Sequence, residues 1–482
     1  MIIFLSCTEK PHDNSKPNII LIFTDDQGYA DVGVQGINKD IKTPNIDFLA
    51  TNGVRFTNGY VTAPQCSPSR AGILTGRYQQ KFGMEDNTTG PIAKNEITIA
   101  NRLQNVGYTT GMVGKWHIDP NHTSTNWLAE NFPEMLANKN KPIPDDLLLP
   151  YLPARKGFDY YFCGNMISYD ANFDLSGDPL LLPRTIKDRR YRIDIQTDAA
   201  LGFINENYQD SFFLYLSYFG PHVPLEADEQ YLKRFSKEEL AIRRKYGLAM
   251  ISSIDDGVGK ILDKLVELKI EKNTIIFFIS DNGAPLKLSM PDSPITGIAG
   301  PDWDGSLNDP WLGEKGMLTE GGIRVPYIVY WDGKISKGKV IDFPVSSLDF
   351  ASTALAVSGQ KKNKQLDGIN LLPYLQNDSI ALPKRALYWK FWNQAAIRSE
   401  MWKYIRLSDG KEYLFNLNSP LHEKRNLINK KPKVAQRLNN DLSEWLNNLK
   451  TQELGNGPIN QQEKNWYKYH LHNKKGKKKV SI

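Results

Sequence analysis

The chain has 482 residues, of which 40% are hydrophobic and 24% are charged, a balance typical of a globular protein with a large buried core. Its formal net charge is +6, and the five lysines within residues 474–479 supply most of it. The rest of the chain is therefore close to neutral, so no basic face argues for nucleic acid as a partner.

Residues 1–16 start with a short apolar run, reach Ser6-Cys7 and then turn polar. This pattern resembles the end of a bacterial lipoprotein signal, in which the cysteine after a small residue is lipidated. The basic segment and most of the apolar segment of such signals are absent, so the alternatives are a clipped signal and a chance resemblance. We expect the first, which predicts an exported lipoprotein of the periplasm or cell surface, anchored to the outer membrane through Cys7. No later run approaches the roughly 18 apolar residues that span a bilayer.

Four apolar runs are predicted to be strands, and each is followed by polar side chains. The runs at 18–24, 211–219 and 274–280 are typical of strands covered on both faces, and 108–114 is a weaker example. The polar residues that follow them are Asp25, Asp26, Lys115, His117, His222, Asp281 and Asn282. Helical segments at 45–53 and 255–270 alternate with the strands, which predicts an α/β fold with a mainly parallel central sheet flanked by helices.

Ligand sites in such sheets lie beyond the carboxyl ends of the strands, so we expect the four polar groups to converge on one site. Each group alone has an ordinary interpretation as a turn or a helix cap. The oxygen atoms of Asp25, Asp26, Asp281 and Asn282 suit Ca²⁺ or Mg²⁺. The sequence has no His-x-x-x-His or Cys-x-x-Cys spacing, which argues against zinc.

Residues 63–78 read APQCSPSRAGILTGRY. Ser67 suits a helix N-cap and Pro68 the first helical position, which predicts a helix from here toward Gly76. Cys66 then lies just before a helix N-terminus, where unpaired amides stabilise negative charge, and Arg70 lies one turn further on. The alternative is a small buried cysteine beside an ordinary helix start.

Together these motifs resemble those of the type I sulfatases, within the alkaline phosphatase superfamily. CSPSR followed by AGILTGRY resembles the signature whose cysteine is oxidised to formylglycine. GKWH, GPHVP, SDNG and EKGMLTEGGIRVP resemble further family motifs, in the family's order, and residues 413–427 resemble the segment with which these proteins often end. The resemblance covers nearly the whole chain. It implies an alkaline-phosphatase-like fold and hydrolysis of sulfate esters, and the chain resembles bacterial polysaccharide sulfatases.

The resemblance also implies a nucleophile and a metal ion. A maturation enzyme would convert Cys66 to formylglycine, whose hydrate attacks the sulfur of the ester and later expels sulfate by re-forming the aldehyde. The implied ligands of one Ca²⁺ ion are Asp25, Asp26, Asp281, Asn282 and the modified residue 66.

Five further side chains match positions with known roles in the family. Arg70 and Lys115 match groups that hold the hydrate, and His117 matches the residue that accepts its proton. His222 and Lys315 match the pair near the leaving oxygen. Lys315 follows Gly-Glu where the family often has two glycines, which leaves the direction of its side chain open. Glu320, Gly321, Gly322 and Arg324 are interpreted as structural.

The predicted substrate is a sulfated oligosaccharide or polysaccharide. Two polar, aromatic-bearing loops, at 168–178 and 300–315, lie near motif residues on the side of the sheet where substrates are selected. Trp303 and Trp311 are predicted to stack on sugar faces, and Asp302, Asp304 or Asp309 to bind hydroxyls. The alternative is that these tryptophans only pack the loops.

Two rival functions remain open. One is a phosphodiesterase or phosphonate monoester hydrolase of the same superfamily. The other is a non-catalytic lipoprotein that binds sulfated glycans with a relic site. The intact set of motif residues argues against a relic, because a decayed site loses ligands.

The predicted organisation is a signal and linker at 1–16, a catalytic α/β domain at 17–370 and a C-terminal α+β portion with a basic tail at 371–482. The polar stretch 359–368 marks the approach to the boundary. Alternation at 385–407 predicts antiparallel strands, and 433–449 predicts an amphipathic helix. If Cys7 and Cys66 are both modified, Cys163 is left as a small buried residue and no disulfide forms.

Overall fold

The structure is a computed structural model that describes residues 16–472 apart from 139–140, 165, 237–238, 287–304, 362, 378, 382, 452–453 and 455–456. The first twelve strands are β1 Asn18–Thr24, β2 Val54–Phe56, β3 Gly59–Tyr60, β4 Thr109–Gly114, β5 Tyr160–Gly164, β6 Ser168–Phe173, β7 Pro179–Lys187, β8 Phe212–Ser217, β9 Thr274–Ser280, β10 Tyr327–Tyr330, β11 Lys339–Ile341 and β12 Val345–Ser346. Four more follow: β13 Ala386–Phe391, β14 Gln394–Ser399, β15 Trp402–Leu407 and β16 Glu412–Asn416.

The α-helices of the described residues are α1 Pro44–Asn52, α2 Cys66–Thr75, α3 Ile99–Gln104, α4 Thr125–Asn131, α5 Glu134–Ala137, α6 Asp145–Leu148, α7 Arg192–Asn207, α8 Glu229–Leu232, α9 Ile242–Glu267, α10 Glu320–Ile323, α11 Leu348–Val357, α12 Leu372–Gln376, α13 Pro432–Asn447 and α14 Gln461–Tyr467. A π-helical turn, Lys468–His472, follows α14. No helix among these described residues is both long and apolar enough to cross a membrane.

Ten strands form one large sheet in the order β11-β2-β10-β9-β1-β8-β4-β5-β6-β7. Its centre, β9-β1-β8-β4-β5, is parallel throughout, whereas β10, β6 and β7 pair antiparallel with their neighbours. The predicted α/β class with a parallel core and flanking helices is confirmed. Strands β1 and β9 have the predicted bounds, because their runs of buried side chains are continuous.

Both faces of the central sheet are covered. Ile19 and Leu21 point into a core built with α2 and α11, whereas Ile20 and Ile22 point into a second core built with α7 and α9. Successive side chains of a strand alternate between faces, so both faces need apolar residues, and positions 19–23 of β1 are all apolar. Helix α9 begins at Ile242, well before the helical segment seen in the sequence.

The C-terminal sheet is antiparallel, in the order β13-β14-β15-β16. Leu387 and Trp389 on β13 join the core of the large sheet, so the two sheets share buried apolar surface. The opposite face is covered by α13, whose Leu438, Leu442 and Trp445 lie one turn apart. The division at residue 370 stays a prediction; the second sheet itself starts at Ala386.

Candidate active site

The site forms where β1 and β9 end side by side. Thr24 pairs with Ser280, so the residues that follow each strand are adjacent. The backbone N–H of Asp26 donates to Oδ1 of Asp281 at 3.0 Å, and Nδ2 of Asn282 donates to Oδ1 of Asp26 at 2.6 Å. Asp26 has a left-handed backbone with φ of 64°, a conformation that aspartate tolerates better than most residues. The polar ends of the two strands thus form one buried cluster.

Cys66 is the first residue of α2, so this helix starts earlier than the sequence predicts. Gln65 is the N-cap, and the N–H of Ser67 donates to the side chain of Asn87 at 3.2 Å. The side-chain oxygen of Asn87 therefore caps the first turn of α2, the function that the sequence predicts for the Ser67 hydroxyl. The Sγ of Cys66 donates to Oδ1 of Asp25 at 3.4 Å and lies fully buried.

Each carboxylate of the cluster is paired with its own cation. Arg70 donates to Oδ2 of Asp281 at 2.7 Å, and Lys115 donates to Oδ2 of Asp25 at 2.5 Å. The Nζ of Lys315 donates to the two carboxylate oxygens of Asp26 at 2.7 and 2.9 Å and to Sγ of Cys66 at 3.1 Å. These cations offset the cost of burying three carboxylates.

The surroundings move the pKa values of the two strand-end aspartates in opposite directions. Burial by itself would raise the pKa of Asp25, but Lys115, His222 and Arg70 hold it well below its usual value. Burial and the adjacent Asp25 raise the pKa of Asp281 to about 7. Like charges this close cannot all ionise freely, so the cluster favours a further cation.

The donor set fits a hard metal ion. Ligand atoms of Asp25, Asp26, Cys66 and His222 all lie within 4.8 Å of one another. Oδ1 of Asn282 is buried without a hydrogen-bond partner. Asp281 lies beside them with its oxygens already engaged by Asp26 and Arg70. Converging oxygen atoms with one unpaired amide oxygen are the environment that a divalent cation completes.

Both motif histidines lie at this edge of the sheet. His117 has a φ of 58° and a buried Nδ1 without a hydrogen-bond partner; burial, Lys115 and Arg70 lower its pKa well below the usual value. Nδ1 of His222 donates to the carbonyl of Val223 at 2.6 Å, so in the neutral ring the lone pair is on Nε2. That Nε2 lies 3.7 Å from Oδ2 of Asp26.

The chain turns sharply to place Lys115. Gly114 has a φ of 101°, and a Cβ there would lie 2.0 Å from the carbonyl oxygen of Ser217. Only glycine permits both the conformation and the approach.

The structure brings together all the catalytic and metal positions named from the sequence, although their roles stay predictions.

Several residues of the site were not found from the sequence. Ser217 and Tyr215 on β8 accept hydrogen bonds from Nη1 of Arg70, the Tyr215 bond at 3.3 Å. Arg192 donates through Nη2 to the carbonyls of His222 at 3.1 Å and Pro224 at 2.7 Å. Arg192 belongs to no motif. One sequence feature could have drawn attention to it: the residues three and four positions later are not carboxylates, so the arginine has no ion-pair partner within its own helix.

Phe219 lies between two cations of this region. The guanidinium of Arg192 is 4.5 Å from its ring centre, and Nζ of Lys115 is 4.9 Å from it. The ring of His222 packs edge-on against the same phenylalanine at 5.5 Å. Cation–π contacts of this kind hold the His222 loop against β4 and α7.

Only some of the predicted substrate-binding residues lie in the described part of the chain. Trp303, Asp302 and Asp304 lie outside the described residues. Asp309 is exposed, and Trp311 is half-buried with Arg324 over its ring at 3.6 Å and His422 against it at 4.9 Å. Trp311 is therefore held in a packed cluster, and its contact with sugar stays a prediction. Cys163 is buried, as expected.

Known proteins resemble this chain over most of its length. The family model "Sulfatase" matches residues 17–360, and "N-sulphoglucosamine sulphohydrolase, C-terminal" matches residues 310–452. N-acetylgalactosamine-6-sulfatase of Mus musculus is 33% identical over 74% of this chain and 66% of its own length. The uncharacterized sulfatase YdeN of Escherichia coli K12 is 32% identical over 78% of this chain and 68% of its own. The matched part thus spans about two thirds of these relatives.

A solved structure extends the likeness to the whole fold. Ps i-CgsB in complex with k-i-k-neocarrahexaose is 29% identical, covers 94% of this chain and 97% of its own, and superposes with a TM-score of 0.73. Phosphonate monoester hydrolase SpPMH from Silicibacter pomeroyi is 19% identical with a TM-score of 0.63, which shows the shared fold alone. The predicted alkaline-phosphatase-like architecture is confirmed, and this chain belongs to the sulfatase family.

Proposed function

We propose that the protein hydrolyses sulfate esters of a sulfated oligosaccharide or polysaccharide, with formylglycine at residue 66. The observation that carries the proposal is the position of Cys66. Its Sγ lies at the start of α2, within hydrogen-bonding distance of Asp25 and Lys315, and no part of the residue is exposed. Helix amides and cations at that point favour a polyanionic group.

The thiol itself is poorly suited to attack. Burial and the neighbouring Asp281 raise the pKa of Cys66. A neutral thiol is a weak nucleophile, so an unmodified cysteine would be inert here. An aldehyde hydrate supplies an oxygen nucleophile and a second hydroxyl for release of sulfate. Because the folded chain covers Cys66, we expect a maturation enzyme to act on it before folding is complete.

The metal ion that we propose is Ca²⁺, held by Asp25, Asp26, Asp281, Asn282 and the modified residue 66. The unpaired Oδ1 of Asn282 and the all-oxygen set support this choice. When bound, the ion would act as a Lewis acid toward sulfate oxygens.

The chain's own residues supply positioning and proton transfer. Arg70 and Lys115 hold Asp281 and Asp25 and present positive charge to residue 66. Burial, Lys115 and Arg70 lower the pKa of His117, so the ring is neutral near pH 7 and keeps one lone pair; we assign to it the role of proton acceptor. Lys315 lies beside residue 66, and with His222 it is the pair that we assign to the leaving oxygen.

Carbohydrate is the substrate class that the relatives favour. One relative is named N-acetylgalactosamine-6-sulfatase, and one solved neighbour was obtained in complex with a neocarrahexaose. Trp303 and Asp304 remain candidates for sugar contacts, as does the exposed edge of Trp311.

The test is a desulfation screen of matured protein on defined sulfated oligosaccharides, an aryl sulfate, phosphate diesters and phosphonate monoesters. We expect sulfate release from at least one oligosaccharide, and none with Cys66→Ala. Efficient turnover of phosphate or phosphonate esters alone would identify the rival enzyme class. Binding of sulfated glycans without turnover by matured protein would identify the glycan-binding alternative.

We also propose export and lipid attachment at Cys7, on the Ser6-Cys7 pattern alone. In bacteria that express the protein behind a complete lipoprotein signal, labelling with a radioactive fatty acid should mark the wild-type protein but not the Cys7→Ser variant. Equal labelling of both proteins, or of neither, would contradict the anchor.

A further inference from the structure

The segment that ends the described chain packs against the loop that carries Lys315. This C-terminal clamp, residues 460–472, consists of Asn460, α14 and the π-helical turn. The matches to the two family models end at residues 360 and 452, before the clamp begins. None of the sequence motifs that identified the site lies within residues 460–472.

Gln394 bridges the clamp and the lysine loop. Its Nε2 donates to the carbonyl of Gly316 at 3.0 Å, and its Oε1 accepts from the N–H of Leu318 at 3.2 Å. The same Oε1 accepts from the hydroxyl of Tyr467 at 2.8 Å, and Nε2 lies 3.3 Å from the carboxylate of Glu463. Gln394, Glu463 and Tyr467 are all buried, so these bonds are shielded from water.

Trp466 closes the other side of the loop. Gly316 has a φ of 93°, and a Cβ added there would lie 2.3 Å from the ring of Trp466. The indole also stacks on Trp392 with ring centres 6.0 Å apart. The residue directly after Lys315 is thereby fixed by a rigid aromatic surface as well as by hydrogen bonds.

The residue directly before Lys315 is held by the clamp too. Nε2 of His470 and Oε1 of Glu314 lie 2.9 Å apart, and the two side chains are 6% and 4% exposed. Glu314 is the residue that departs from the family's usual pair of glycines. A glycine could not make this contact.

We propose that the clamp positions Lys315, through Glu314 on one side and Gly316 on the other; this rests on the proposed function. A lysine side chain has four flexible bonds and loses much entropy when it is fixed. The main chain of the loop also bonds elsewhere, from Lys315 N–H to Ala284 at 3.1 Å and from Gly316 N–H to Pro64 at 2.9 Å. Pro64 lies two residues before Cys66, so the clamp acts on the distance between Lys315 and the nucleophile.

His470→Ala tests the proposal in turnover of a saccharide sulfate. We expect kcat to fall about tenfold because Lys315 is misplaced, with KM changed by less than about twofold. His470→Gln keeps an N–H donor near Oε1 of Glu314 and should recover most of the loss. Lys468→Ala, an exposed position in the same turn, is the matched control and should match the wild type. In a Lys315→Ala background, His470→Ala should cause no further loss. An equal loss in both backgrounds, or an unchanged kcat, would overturn the proposal.

Hydrogen exchange tests the clamp without any substrate. In His470→Ala the amides of Lys315 and Gly316 should exchange faster than in the wild type, whereas those of β1 should be unchanged. Unchanged exchange at residues 314–318 would refute the clamp even in an active enzyme. If the wild type desulfates nothing while the exchange result holds, the proposed function fails and the clamp stands as a structural contact.

Discussion

Two buried clusters of charge differ in how their acceptor atoms are arranged. The active-site cluster holds Asp25, Asp26, Asp281, Arg70, Lys115 and Lys315. The second, the interface cluster, lies where the two sheets meet and holds Tyr60, Glu320, Arg324, Arg398, Lys403 and Glu423.

In the interface cluster the central acceptor is surrounded by donors. Oε1 of Glu320 accepts from Lys403 at 2.9 Å, and Oε2 accepts from Tyr60 at 2.6 Å and from Arg324 at 3.0 Å. Burial opposes ionisation, yet Lys403, Arg324 and Arg398 lower the pKa of Glu320. Such an arrangement needs no ligand and joins the sheets.

In the active-site cluster acceptors face one another. Oxygen atoms of Asp25 and Asp26 converge with Sγ of Cys66, and Oδ1 of Asn282 has no partner. Both clusters contain one carboxyl with a raised pKa, Asp281 or Glu423. Perturbed pKa values therefore do not separate function from structure here. The convergent acceptors of the active-site cluster do, because they favour a cation in addition to Arg70, Lys115 and Lys315.

The largest expected effect is on turnover. Cys66→Ala should lower kcat by about three orders of magnitude or more, because it removes the nucleophile, while thermal unfolding stays close to that of the wild type. Cys163→Ala, at the other described buried cysteine, is the control and should stay active. Substantial activity in Cys66→Ala would show that the convergent acceptors serve another chemistry.

Lys403→Met should lower stability and leave turnover unchanged, the opposite of Cys66→Ala. It leaves Glu320 and Glu423 buried without their shared cation, which lies 2.9 and 3.1 Å from them. We expect the free energy of unfolding to fall by about 3–5 kcal/mol, measured by denaturant titration, with kcat of the folded protein retained. Lys411→Met, at a surface pair, is the control. Unchanged stability would remove the distinction between the two clusters.

Metal should stabilise only through the active-site cluster. Chelation should abolish activity, and Ca²⁺ should restore it better than Zn²⁺. At about one hundred times its Kd, Ca²⁺ should stabilise the wild type by about 2.7 kcal/mol in thermal unfolding. His222→Ala should keep most of this gain and Asp281→Ala should lose it. Full activity after thorough demetallation would contradict the assignment.

Arg192→Met should lower kcat by about 30-fold with little change in KM, because the His222 loop loses the guanidinium that binds its carbonyls. The loss should be larger for saccharide sulfates than for an aryl sulfate, whose better leaving group needs less protonation. Arg190→Met, at a half-exposed surface pair, is the control. Equal losses on both substrates would indicate general damage to the fold.

The smallest expected effect concerns pH and the interface cluster. Burial and the adjacent Glu320 raise the pKa of Glu423 to about 7. The folded state therefore binds this proton more tightly than the unfolded chain, and the stability that it contributes is lost as pH rises from about 4.5 to about 7. Glu423→Gln lacks that titration, so its stability relative to the wild type should improve by about 1 kcal/mol from pH 5 to pH 6. A constant difference across this range would show that Glu423 does not titrate there.

The sequence alone indicated the parallel core, the motif that contains Cys66 and the polar strand ends. Strands β1 and β9 are recognisable because each has five consecutive apolar residues, a local pattern that no tertiary contact has to supply. Asp25 and Asp281 follow from the rule that parallel strands end at one edge. Cys66 and Arg70 stand in a short motif whose spacing is itself helical.

Only the tertiary structure decided how distant segments complete the site. Asn87 caps α2 from outside, Arg192 holds the His222 loop, and α14 holds the loop of Lys315. The ring of Trp311 packs against Arg324 and His422, and the sequence of its loop did not indicate these contacts. Each of these contacts joins residues separated by 13 to more than 100 positions, and local periodicity carries no information about such pairs. Such contacts depend on which surfaces meet when the elements of the fold pack together. Burial of the whole hydrophobic core determines that packing.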